Sequence, residues 1–122
     1  MNHRHVALLP LIAAVVLLAG CQTARPLYYW GNYEGTLYSG YSKPGSISPD
    51  EGIARMQEDL AKAAATGRAP NPGLHAQLGF YYLQAGNGEA ARAEFEAEKA
   101  LYPESATLMD RMISKLQAAP TS

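Results

Sequence analysis

From Ser48 to Ala119 the apolar residues return at steps of three and four, and the run breaks only where glycine and proline cluster. That spacing puts them on one face of successive α-helices. Ser48-Pro49-Asp50-Glu51 reads as a helix start: a serine cap, proline at the first helical position and glutamate at the third. Ile53, Met56 or Gln57, Leu60 and Ala63 to Ala64 continue one stripe, which predicts a first helix over Pro49 to Thr66. After the loop Arg68-Ala69-Pro70-Asn71-Pro72-Gly73, the residues Leu74, Leu78, Tyr81 or Tyr82 and Ala85 predict a second helix that stops at Gly86. Asn87 caps a third, with Ala91, Phe95 and Leu101 inward, with Glu89, Arg92, Glu94, Glu96 and Lys99 solvated, and with Pro103 as its end. A fourth begins near Ser105, carries Leu108, Met112 and Leu116 at steps of four with Met109 and Ile113 beside them, and frays at Ala118-Ala119-Pro120. About four helices joined by short loops make an all-α antiparallel stack over 48–119.

The middle pair of helices has a recognisable spacing. Leu78-Gly79, Tyr82, Gly86, Ala91, Phe95 and Pro103 resemble one tetratricopeptide repeat over Pro72 to Ser105. In such a pair Gly79 and Ala91 permit close approach, Tyr82 and Phe95 fill the contact, and Pro103 stops the second helix. Two positions depart from the pattern. His75 stands where a bulky aromatic is usual, and Glu98 replaces an alanine, so a partly exposed carboxylate or a basic partner is expected there. One repeat cannot bury both faces, which makes the flanking helices its natural caps.

The amino-terminal portion has a different character. Arg4 precedes the apolar run Val6 to Leu18, which is too short for a membrane-spanning helix and matches the core of a signal peptide over 1–20. Directly after it, Leu18-Ala19-Gly20-Cys21 resembles the lipobox of bacterial lipoproteins. That resemblance implies acylation of Cys21 and cleavage before it, hence a bilayer partner through the acylated cysteine. Gln22 is not the aspartate that tends to retain lipoproteins in the inner membrane, so the periplasmic face of the outer membrane is expected. Several acyl chains anchor a protein stably where one does not. Losing Arg4 leaves the mature chain near a net charge of −2, with no basic patch expected to draw it to headgroups or to nucleic acid.

Residues 21–47 then form a short tether and an aromatic stretch. Tyr28, Tyr29, Trp30, Tyr33, Tyr38 and Tyr41 account for six of the eleven aromatic residues of the chain. Gly31, Gly35 and Gly40 interrupt it, so neither a long helix nor a clean alternating strand fits; Tyr33 to Tyr41 has room for a short helix, and the stretch reads as irregular with one helical turn. Tyrosine and tryptophan suit a half-buried surface, either docked on the protein's own helices or presented to a partner; Tyr28, Tyr29, Trp30, Tyr33 and Tyr38 are the candidates for partner binding.

Leu27-Tyr28-Tyr29-Trp30-Gly31-Asn32-Tyr33, Leu37-Tyr38, Leu78-Gly79-Phe80-Tyr81 and Leu101-Tyr102-Pro103-Glu104-Ser105 together resemble a family of small bacterial lipoproteins known as domain of unknown function 4810. The family has no settled activity. Its members are typically encoded beside two other lipoproteins, one similar to the curli secretion channel, which implies a shared envelope assembly.

Catalytic chemistry is hard to build from these residues. The single cysteine is taken by acylation, and His75 is the one histidine left after the signal segment, with no nucleophile elbow near it. Glu94, Glu96 and Glu98 form an acidic run that reads as a charged helix face. No metal site, phosphate loop or cofactor is indicated, and an enzyme is not expected. Two roles are expected instead: a protein–protein interaction module for envelope proteins, including other lipoproteins, or a structural or localisation factor for an outer-membrane complex without a peptide groove.

Overall fold

The computed structural model describes residues 24–118; the signal segment, the lipobox and Cys21 lie outside them. In chain order the elements are β1 (Tyr28–Tyr29), α1 (Tyr33–Ser42), α2 (Pro49–Ala65), β2 (Ala69–Pro70), α3 (Leu74–Gln84), α4 (Gly88–Leu101), a 3-10 turn (Pro103–Ser105) and α5 (Ala106–Ala118). The caps read from sequence are in place. Ser48 Oγ accepts from Glu51 N at 3.2 Å, with Pro49 opening α2, and Asn87 Oδ1 accepts from Ala90 N at 3.0 Å to open α4.

The helices stack as successive antiparallel pairs. Gly52, early in α2, lies under the ring of Tyr81, late in α3; Glu98, late in α4, reaches Gly73 and Ala76 at the start of α3; Lys99 of α4 meets Asp110 of α5 at 2.8 Å. Two apolar clusters hold the stack. Met56, Leu74, Leu78 and Tyr81 join α2 to α3, and Ala91, Phe95, Met109 and Ile113 join α4 to α5. Tyr82 packs against both clusters and makes the core continuous, while its hydroxyl accepts from Gln57 Nε2 at 2.7 Å. Gly79 sets the closeness of α3 and α4: a Cβ there would lie 2.6 Å from the Phe95 ring.

Several expectations need correction. The four helices expected over 48–119 are α2 to α5, and the described residues add a fifth, because 33–42 forms about three helical turns where an irregular segment with one turn was expected. Gly35 and Gly40 weaken that helix intrinsically, and its docking on α2 compensates, with Thr36 fully buried against it. Leu101 is 48% exposed instead of inward. It lies six residues past Phe95, about 240° round the helix, whereas Glu98 falls on the Phe95 side and is buried. Leu108 also faces outward, and Met109 and Ile113 carry the inner face of α5. Arg92, Glu94 and Lys99 are half-buried, not solvated.

The loop between α2 and α3 contains the second surprise. Ala69–Pro70 forms β2 and pairs in parallel with β1, Tyr28 opposite Ala69 and Tyr29 opposite Pro70. This two-rung ladder ties the aromatic segment to the middle of the stack.

Candidate functional site

The Tyr-Tyr-Trp-Gly-Asn-Tyr run builds a latch. Gly31 adopts a φ of +46°, a conformation that disfavours a side chain, and a Cβ there would also run into Asp59 Oδ1. The turn aims both nitrogens of Asn32 at the buried carboxylate of Asp59. The backbone N–H donates to its two oxygens at 2.8 and 3.0 Å, and Nδ2 donates to Oδ1 at 3.0 Å. The buried anion is thus satisfied by dipoles instead of a cation.

The aromatic rings divide between inside and outside. Tyr28 sets its edge on Tyr102 at 6.0 Å between centroids, and the Tyr102 hydroxyl donates to Pro70 O. Tyr29 lies beneath the Arg68 guanidinium at 5.3 Å. Tyr33 presses its hydroxyl against Gly73, beside the Glu98 carboxylate; burial foremost, then the Glu98 charge, pushes the phenol pKa up. Trp30 packs on Tyr28 and Tyr33 with one side open to solvent. Of the five aromatic residues singled out for partner binding, Tyr28, Tyr29 and Tyr33 are therefore half-buried on the protein's own framework. Tyr38 is 75% exposed.

A groove not foreseen in the sequence lies between α1 and α3. Its volume is about 270 Å³; Leu37, Tyr41, Ile47, Phe80 and Tyr81 give it apolar walls, and Gln77 and Gln84 place amides at its edge. Tyr41, at 82% exposure, and Phe80 stand proud of it. The signal was present in the spacing of Leu37, Gly40 and Tyr41, which share one helical face, but it becomes readable only once 33–42 is a helix.

The residues expected to pack the middle pair do meet. Leu78, Gly79, Ala91 and Phe95 are buried together, Tyr82 is half-buried between the clusters, and Pro103 is exposed at the head of the 3-10 turn. Glu98 corrects the expectation of a partly exposed or cation-paired carboxylate. It is 2% exposed and accepts from Gly73 N at 2.6 Å and Ala76 N at 3.3 Å, so it closes the start of α3, where Gly73 has no side chain to act as a cap. His75 Nδ1 lies 2.6 Å from Glu94 Oε2, linking α3 to α4. Among the described residues no cluster of three or more histidine, cysteine, aspartate or glutamate side chains could hold a metal ion, and no helix is long and apolar enough to cross a membrane.

No curated protein and no solved structure gives a significant match to the chain. A family model described as Domain of unknown function (DUF4810) matches residues 27–112, from the aromatic latch to about the middle of α5. The match spans well over half of the sequence and takes in both the latch and the helical stack, and the chain belongs to this family.

Proposed function

We propose that this protein is a lipid-anchored interaction module of the bacterial envelope, held on the periplasmic face of the outer membrane by acyl chains on Cys21. Its proposed task is to hold an envelope protein, such as a lipoprotein of secretion-channel type, against its helical stack. The observation that carries this reading is the pair of exposed aromatic side chains, Tyr41 and Phe80, on the groove between α1 and α3, with Tyr38 exposed on the same helix as Tyr41. Exposed aromatics beside an apolar hollow are the composition of binding hot spots, and they bring no catalytic group with them. The tetratricopeptide-like spacing of α3 and α4 supports the same reading, because such hairpins present side chains from a stacked framework. Tyr28, Tyr29 and Tyr33 are then the base that holds α1 in position, and the partner surface shifts to Tyr38, Tyr41 and the groove.

A photo-crosslinking amino acid at position 41 or 80, with one at exposed position 104 as control, tests this in cells. Membrane separation and mass spectrometry of the adducts are expected to recover one outer-membrane partner from 41 and 80 and not from 104. Adducts absent at 41 and 80, alongside a tethered protein that still supports its complex, would favour the structural or localisation role. That second reading draws on how much of the aromatic stretch is spent inside the molecule.

A further inference from the structure

The carboxy-terminal end of α2 carries a second hollow, of about 440 Å³, lined by Arg25, Pro26, Thr66, Gly67 and Arg68. Two arginines far apart in sequence meet there, and no acidic side chain lines it. Neither arginine forms an ion pair among the described residues. Arg68 is held in place by the Tyr29 ring at 5.3 Å and by an Nε contact of 3.4 Å to Thr66 Oγ1. Thr66, Gly67 and Arg68 N–H groups already donate to Lys62, Ala64 and Ala63, so an anion at this site would be held by the two guanidinium groups, whose charges oppose the negative end of the α2 dipole. Leu27, the residue after Pro26 of its lining, is 80% exposed.

We propose that this hollow binds the phosphate of a phospholipid headgroup, so that the anchored protein rests on the bilayer with the end of α2 downward. The inference deepens the proposed function and rests on acylation of Cys21. Cys21 stands three residues before Ala24, and an extended chain spans at most about 3.5 Å per residue, so the acyl chains enter the bilayer within roughly 10 Å of Ala24. Arg25, Leu27 and Arg68 are thereby carried to the lipid surface at high effective concentration, where even a weak contact fixes orientation. The mature chain's net negative charge, which predicted no headgroup attraction, conceals this local pair of cations. A Leu27 side chain beside two guanidinium groups suits the boundary between acyl chains and headgroups. The groove between α1 and α3 is not part of this contact. Gln84 at its edge ends α3, which runs antiparallel to α2, so that edge points away from the bilayer.

The test uses the acylated chain reconstituted in phosphatidylethanolamine and phosphatidylglycerol vesicles. A fluorophore is placed on a single new thiol at Ala65→Cys, where α2 ends, or at Gln84→Cys, where α3 ends, and is quenched by nitroxide-labelled headgroups. Strong quenching at 65 and weak quenching at 84 is expected. Each arginine near an anionic surface contributes about 1 kcal/mol, so R25Q/R68Q is expected to lower the ratio of docked to undocked orientations about thirtyfold, and high salt to act in the same direction. Equal quenching at 65 and 84 in the parent chain, or no response to R25Q/R68Q, overturns the headgroup site while leaving the anchor intact. Mass spectrometry of the same preparation reads acylation of Cys21 directly. Its absence would overturn the anchor, and this orientation with it.

Discussion

Replacing Asp59 by alanine should unfasten the amino-terminal segment without melting the helical stack. The carboxylate is fully buried and accepts both nitrogens of Asn32 at 2.8 to 3.0 Å. A hydrogen bond to a charged group contributes about 1.5–3 kcal/mol, and a donor left without a partner costs about 1–3 kcal/mol. Relief of the buried charge offsets part of this. We expect a net loss of about 2 kcal/mol, which is roughly a thirtyfold shift in a local equilibrium. The loss should appear as opening of residues 27–42, because Met56, Leu74, Leu78 and Phe95 keep their contacts. Native-state hydrogen exchange followed by mass spectrometry would show exchange in 27–42 rising about thirtyfold while α3 and α4 stay protected. Trp30, the one tryptophan, would report the same event through its emission. Asp59→Asn keeps one acceptor oxygen and should fall between the parent and Asp59→Ala. Unchanged exchange in 27–42, or a uniform rise across every helix, would refute the latch as a local fastener.

Three further outcomes follow from the packing. Gly79→Ala places a methyl 2.6 Å from the buried Phe95 ring and should cost about 1–2 kcal/mol in urea unfolding after the gain in helix propensity, whereas Gly35→Ala, with nothing within 4 Å, should gain about 0.5–1 kcal/mol. Glu98→Ala strips the acceptor from Gly73 and Ala76 and should lower stability by about 1–3 kcal/mol, read from the same unfolding curves. Burial foremost raises the phenol pKa values of Tyr33, Tyr81 and Tyr102 above the ordinary 10.0, so the folded state holds these protons more tightly than the unfolded chain. Their contribution is complete below about pH 10 and is lost as pH rises through the folded values, so the urea midpoint should fall as pH is raised above about 10.

Periodicity exposed α2 to α5 because their buried residues recur at steps of three and four, and the caps at Ser48 and Asn87 followed from local chemistry alone. The aromatic stretch was harder to read. Its helix has little intrinsic propensity and is fixed by the Asn32–Asp59 contact, which joins residues 27 positions apart and leaves no local trace. Asp59 in α2 looks like a solvated acid until its partner is known. Glu98 misled in the same way: a carboxylate on a packing face suggested exposure or a basic neighbour, and its partners turned out to be the N–H groups of a helix start that has only glycine before it. The same dependence hid the groove, since Tyr41 and Phe80 meet only after α1 has docked.

The two-rung parallel ladder between β1 and β2 has a mechanical consequence. Tension applied at Ala24 does not reach the helices first. It is borne by the Tyr28–Ala69 and Tyr29–Pro70 pairs, by Tyr102 holding Pro70 from behind, and by the Asn32 hook on Asp59. Load applied at Ala24 is therefore delivered to the loop between α2 and α3 and to the side of α2, while the contacts of α3 with α4 are spared. A molecule strained by a moving partner would lose its leader strand before its core, like a mooring line that slips its cleat while the hull stays whole.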